Sequence, residues 1–98
     1  MSVQIVHFGT DPQRAGEVEE AIRSLFLAVE AAAPQGIEYT AARIGDSSQF
    51  LLMLALADDA ANPLLEIPEA GAFRNTMADW AGGPVSPSTL HFLGRYSA

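Results

Sequence analysis

Hydrophobic and polar positions follow two different periods along this chain, and the period of two marks the strands. Residues 3–8 are short, rich in β-forming side chains and followed by a glycine, so they predict a first strand. Residues 37–44 and 49–57 have the same character, and the turn-forming segment 45–48 between them predicts a hairpin. Residues 89–96 predict a fourth strand after a loop that contains two prolines.

Two other segments repeat their apolar residues at spacings of three and four, which is typical of amphipathic helices. Asp11 and Pro12 predict the start of the first helix and residues 34–36 its end. Pro68 predicts the start of the second helix, and Gly82 its end. The apolar stripe of the first helix is Ala15, Val18, Ile22, Leu25, Val29 and Ala32, and that of the second is Ala70, Phe73, Met77 and Trp80.

The predicted order is therefore strand, helix, strand, strand, helix, strand. With right-handed crossovers, this order gives an α+β fold of the ferredoxin-like βαββαβ type, in which a four-stranded antiparallel sheet carries both helices on one face. The 98 residues leave no room for two independent cores, so we expect residues 1–98 to form one domain.

The third predicted strand is apolar on both of its faces, although two helices can cover only one face of the sheet. Four large side chains point one way (Phe50, Leu52, Leu54, Leu56), and Leu51, Met53, Ala55 and Ala57 point the other way. Leaving such a face in water forgoes ~1.5–3 kcal/mol for each large side chain. We therefore expect a homodimer that pairs through the sheet face. The alternative is a central strand whose far side is modestly exposed.

Composition excludes several classes of partner and chemistry. The net charge is −7, with five arginines and no lysine, which disfavours nucleic acids and anionic membrane surfaces as partners. The chain has no cysteine for thiolate chemistry and no lysine for a Schiff base. The longest apolar run, residues 50–57, is far shorter than the roughly 18–20 residues of a membrane span. Because the first residues do not read as a signal peptide, we expect a cytoplasmic protein.

The apolar central strand at residues 50–54, the second helix with Phe73 and Trp80, and the closing segment 93–96 form a familiar pattern. With this order of elements, the chain resembles the dimeric α+β barrel proteins, and most of all their antibiotic biosynthesis monooxygenase type. The resemblance implies a homodimer whose two sheets form a barrel, and a pocket between the sheet and the helices of each subunit. It also implies oxidation of phenolic or quinol compounds by molecular oxygen, without metal, flavin or haem.

Some proteins of this type degrade haem with an Asn, a Trp and a His, and here the sequence departs from that pattern. His7 stands on the first strand where that subgroup would have Asn, and no histidine follows Trp80 within the second helix. We therefore expect neither haem nor another cofactor.

His7 and His91 are the only histidines, and both lie on predicted strands. Either could act as the base that deprotonates a phenol before oxygen reacts. The alternative for each is a structural histidine, hydrogen-bonded at a sheet edge or dimer seam. A two-histidine metal site would need a third ligand, and no spacing in the chain supplies one, so we expect no metal.

Three further candidates are Trp80, Tyr39 and Arg43. Trp80 could stack on an aromatic ligand with Phe73 and Met77, although all three also fit an ordinary helix core. Arg43 shares a strand face with Tyr39 and could hold a developing oxyanion, or equally an acidic residue across the dimer interface.

Three hypotheses follow for function. The first is a pocket that binds a small hydrophobic compound and oxidises it without a cofactor. The second is a ligand-binding homodimer of the same fold that has no activity, and the third is a purely structural one.

Overall fold

The computed structural model describes residues 2–57 and 62–98, and the elements in these ranges follow the predicted order. A prediction that Asp58 and Asp59 belong to a solvated loop lies outside the described residues. The strands are β1 (Ser2–Gly9), β2 (Ile37–Arg43), β3 (Gln49–Leu56) and β4 (Ser88–Thr89), and the helices are α1 (Ala15–Ala32) and α2 (Pro68–Ala81). Two 3₁₀ turns, Pro12–Arg14 and Pro63–Glu66, precede the helices.

The four strands form one antiparallel sheet in the order β2-β3-β1-β4. β3 is central and pairs along its whole length with β1, so that Val6 faces Leu52 and Phe8 faces Phe50. The fold is thus the α+β, ferredoxin-like arrangement that the pattern predicts. The hairpin between β2 and β3 is also confirmed, with the Ile44 amide donating to the Gln49 carbonyl at 2.9 Å.

The helix boundaries follow the signals in the sequence. The Asp11 side chain accepts a hydrogen bond from the Gln13 amide at 2.9 Å and so caps the turn that leads into α1. α1 ends where Ala33 adopts a left-handed backbone with φ of 47°. α2 runs from Pro68 to Ala81 and is followed by Gly82, whose φ of 78° suits a glycine in that capping position.

The core lies between the helices and one face of the sheet. That face carries Phe8, Phe50, Leu52, Leu54 and Leu56, all of them buried. The stripe predicted for α2 is buried in full, and within α1 the buried residues are Ala15, Val18 and Leu25.

The fourth strand is much shorter than predicted. Only Ser88 and Thr89 pair with β1, followed by one further bond from the Leu90 amide to the Val3 carbonyl at 2.9 Å. Thr89 faces Gln4, so the chain runs antiparallel toward the start of β1 and soon passes beyond it. The later residues therefore have no strand of this chain beside them. Phe92, Leu93 and Tyr96 are 70%, 100% and 89% exposed.

Neither described helix combines the length and the apolar character that crossing a membrane requires.

Candidate small-molecule pocket

A cavity of about 130 Å³ lies between the sheet and α2. Val6, Leu52 and Leu54 of the sheet form its floor, and Phe73 and Met77 of α2 form its opposite wall. The remaining apolar lining residues are Leu64, Ala70, Val85 and Pro87. Since Pro87 is exposed, the cavity reaches the surface.

Four polar side chains also line the cavity: Gln4, Tyr39, Asn62 and Arg74. Gln4 and Tyr39 lie on β1 and β2, and both pair with Leu54 of the central strand from opposite sides. They therefore share the face that the helices cover. A few polar groups set in an apolar pocket are the usual means of orienting a bound compound.

Tyr39 is fixed from one side by Phe26 of α1. The two rings stack with centroids 5.0 Å apart and planes 4° from parallel. Burial raises the pKa of the Tyr39 phenol to about 12, and the nearby charge of Arg74 opposes this rise. Tyr39 is therefore neutral at physiological pH, and its hydroxyl can donate a hydrogen bond.

Asn62 precedes the 3₁₀ turn that leads into α2, and Arg74 lies in the middle of that helix. The side-chain oxygen Oδ1 of Asn62 accepts a hydrogen bond from the Leu64 backbone N–H at 2.9 Å and caps the 3₁₀ turn. The side-chain NH₂ group of Asn62 therefore supplies the remaining donors. Arg74 is exposed, and its guanidinium folds back toward Gly71 on the preceding turn of the helix. Arginine carries only donors, and it keeps its positive charge at all physiological pH values.

The two histidines lie elsewhere. His7 is exposed, pairs with Leu51 and so lies on the sheet face away from the helices. His91 is exposed in the segment after β4. A catalytic role for either stays a prediction, and for His7 it would concern the other face of the sheet.

Trp80 is buried in the core beside the cavity rather than in its lining. Its ring stacks on Phe8 at 6.4 Å and meets Phe73 edge to face at 5.7 Å. Its indole N–H donates to the Glu17 carboxylate at 2.5 Å and ties α2 to α1. This bond, followed by one from Arg14, lowers the pKa of Glu17 below its ordinary value of 4.5.

Arg43 is engaged in holding the β2–β3 turn. Its guanidinium donates to the Ser47 carbonyl at 2.6 Å, to the Asp46 carbonyl at 3.2 Å and to the Glu19 carboxylate at 2.8 Å. It lies over the Phe50 ring with its central carbon 5.9 Å from the ring centroid. These contacts are all within one chain, and the part that Arg43 could play in catalysis or dimerisation stays a prediction.

Sequence reasoning thus found Tyr39, Phe73 and Met77 of the cavity lining but missed Gln4, Asn62 and Arg74. Two of these left a signal. Gln4 has the strand parity of Val6 and Phe8 and is a polar residue at an inward position. Arg74 stands four residues after Ala70, on the flank of the α2 stripe. The loop conformation that brings in Asn62 has no such periodicity.

The polar lining is suited to donating hydrogen bonds. Among its described residues there is no carboxylate and no histidine, so it offers donors and a positive charge but no strong base. Within residues 2–57 and 62–98, no three potential ligands cluster in a way that could hold a metal ion. The arrangement can therefore bind an apolar ring and stabilise negative charge on an oxygen atom beside it.

Fold and site together define a small ferredoxin-like α+β protein with a pocket between its sheet and second helix. No protein-family model matches the sequence, and the comparison with curated proteins finds no match. Solved structures, in contrast, share the fold.

Two similar structures come from Nitrosomonas europaea. The NE2512 protein, whose function is unknown, has a TM-score of 0.72 at 19% identity, over 99% of this chain and 93% of that one. A protein provisionally assigned as an antibiotic biosynthesis monooxygenase has a TM-score of 0.71 at 22% identity, over 94% and 89%. Rv0793 from Mycobacterium tuberculosis has a TM-score of 0.62 at 20% identity, over 98% of each chain. These similarities establish the fold.

Proposed function

We propose that this protein is a cofactor-independent monooxygenase that oxidises a hydrophobic phenol or quinol with molecular oxygen. The observation that carries the proposal is the cavity, where an apolar space meets the hydroxyl of Tyr39 and the guanidinium of Arg74. The fold shared with a provisionally assigned antibiotic biosynthesis monooxygenase supports the same class of reaction.

The proposed reaction balances without a cofactor. A phenol first loses its hydroxyl proton to solvent water, and the electron-rich carbon opposite that oxygen then forms a bond to O₂. When the O–O bond breaks, one oxygen atom stays on the ring as a carbonyl and the other leaves as water. The net change is phenol plus O₂ to quinone plus water, in which the ring gives four electrons and O₂ accepts four. Arg74 and Tyr39 would stabilise the negative charge that develops on the phenol oxygen.

Oxygen uptake and mass spectrometry on a panel of phenols, quinols and anthrones test this proposal. We expect turnover by the wild-type protein, and a roughly tenfold lower kcat/KM for Tyr39→Phe because one hydrogen bond to the developing anion is lost. Tyr96→Phe is the matched control, since Tyr96 is 89% exposed and lies in the segment after β4. An intact protein that consumes no oxygen with any member of the panel would contradict the proposal.

A second candidate is a binding protein of the same fold without activity. The absence of a carboxylate and a histidine from the described cavity lining favours it, because a binding protein needs no base. A compound that copurifies with the protein and is recovered chemically unchanged after incubation in air would support this candidate over the first.

We further propose that the protein forms a homodimer through the sheet face that the helices leave uncovered. On that face, Ile5, Leu51 and Met53 are only partly buried in a single chain, and the apolar segment after β4 extends away from its own sheet. A second copy of the chain carries the same two features, so an isologous pairing would cover both of them in both chains. Light scattering is expected to give twice the mass of the chain.

A further inference from the structure

The charge in the cavity is opposite in sign to the charge of the whole chain. The protein carries a net charge of −7 and has five arginines, one of which, Arg74, is the charged residue in the described cavity lining. At physiological salt, charges are screened over roughly 8 Å, so a charge in the cavity lining acts on a bound compound more strongly than the net charge of the whole chain does. The cavity therefore favours an anionic group.

The other polar groups reinforce this preference. The Tyr39 hydroxyl is a donor because burial keeps the phenol neutral, and Asn62 has its carbonyl oxygen engaged in capping the 3₁₀ turn. Three donor groups, from Tyr39, Asn62 and Arg74, thus line one small space. Donors that are fixed by packing and capping cost little reorganisation when they bind an anionic oxygen.

The size of the cavity limits the apolar part of the compound. An engineered apolar cavity of about 150 Å³ in another protein takes up benzene, so a cavity of about 130 Å³ corresponds to one ring. Two or three fused rings would extend beyond it into the surface opening beside Pro87.

We propose that the cavity selects the anionic form of a single-ring phenol, with its ring among the apolar side chains and its oxygen against Arg74, Tyr39 and Asn62. The choice of a phenol rests on the proposed function, whereas the preference for an anion rests on the cavity lining. In that case the positive charge of Arg74 lowers the pKa of the bound phenol, and the phenol can ionise without a basic side chain of the protein.

The test uses 4-nitrophenol, whose absorbance distinguishes the phenolate from the phenol, and its neutral methyl ether 4-nitroanisole. We expect bound 4-nitrophenol to ionise about one pH unit below the free compound, which is the effect of a cation within reach of the oxygen. The anion should then bind roughly tenfold more tightly than 4-nitroanisole. In Arg74→Met the pKa of the bound compound should lose most of this shift, while 4-nitroanisole binds as before.

Arg23→Met is the matched control, because it removes the same charge from an exposed site on α1, where Arg23 forms ion pairs with Glu19 and Glu20. It should keep the shift. Tyr39→Phe should lose part of the shift and keep the ring stack on Phe26. Arg74 is exposed, so its replacement should leave the fold intact, and a circular dichroism spectrum checks this.

The outcomes separate this inference from the proposed function. Equal affinity for the anion and the ether, or an unchanged shift in Arg74→Met, would overturn the inference, even if the protein oxidises phenols. If the pKa shift of bound 4-nitrophenol depends on Arg74 but the protein consumes no oxygen, the inference is upheld and the proposed monooxygenase function is contradicted. A fused two-ring analogue, 4-nitro-1-naphthol, should gain no affinity over 4-nitrophenol, and a tenfold gain would contradict the single-ring limit.

Discussion

The Trp80 side chain both packs in the aromatic core and donates a hydrogen bond to a charged residue. A buried indole N–H needs an acceptor, and here the acceptor is Glu17, sixty-three positions away on α1. The bond joins the two helices across the aromatic cluster that also contains Phe8 and Phe73. The carboxylate accepts it best when ionised, because a charged acceptor forms the stronger hydrogen bond.

This contact predicts a pH dependence of stability. The folded protein lowers the pKa of Glu17, so the contribution of this group is present above its ordinary pKa of 4.5 and is lost as the pH falls through the folded value. We expect Glu17→Gln to lower the melting temperature at pH 7 and to have a smaller effect at pH 3. Thermal unfolding followed by circular dichroism at the two pH values measures this.

Glu30→Gln is the control for that measurement, because it removes another exposed carboxylate of α1. Its melting temperature should follow the wild type at both pH values. If Glu17→Gln and Glu30→Gln behave alike, the bond to Trp80 contributes nothing to stability.

Among the elements, the β2–β3 hairpin depends on Arg43. Its guanidinium binds two carbonyls of the turn and the Glu19 carboxylate of α1, so it fixes the hairpin end against the helix. We expect Arg43→Met to lower the free energy of unfolding by about 1–2 kcal/mol, since it removes three hydrogen bonds, one of them to a carboxylate. Urea denaturation measures the change.

Arg23→Met serves as the comparison, because an exposed pair on one helix is worth about 0.3–0.5 kcal/mol. Arg43→Lys should recover only part of the loss, as an ammonium group lacks the planar fork of donors. If Arg43→Met lowers the free energy of unfolding no more than Arg23→Met does, Arg43 does not hold the hairpin against α1.

The two helices were predictable because each has a start signal, a stop signal and an apolar stripe, as Pro68, Gly82 and Phe73 illustrate in α2. The length of β4 was not predictable, because the apolar side chains of residues 89–96 indicate burial but do not indicate which strand or which chain buries them. Strand pairing is a non-local property, and the start of β1 decides where β4 loses its neighbour.

The same distinction explains what could be predicted of the site. Tyr39 was a candidate as the residue that shares a strand face with Arg43, and Phe73 and Met77 were candidates through their helical spacing. Asn62 lines the cavity from a loop, which has no periodicity to predict it. His7 lies on the opposite face of the sheet, because alternation along a strand does not say which face the helices cover. Sequence patterns therefore gave the elements that surround the cavity better than the polar groups within it.

For the whole molecule, the proposed dimer depends on the face that carries Ile5, Leu51 and Met53. A charged group buried between two sheets without a partner is strongly destabilising, so Leu51→Arg should convert the dimer to a monomer in light scattering at micromolar concentration. Leu27→Arg is the matched control: Leu27 is 68% exposed on α1, and its replacement should leave the mass unchanged.

Removal of residues 91–98 should weaken the dimer as well, because it deletes Phe92, Leu93 and Tyr96. A monomeric wild type, or a Leu51→Arg variant that stays dimeric, would rule out pairing through this face.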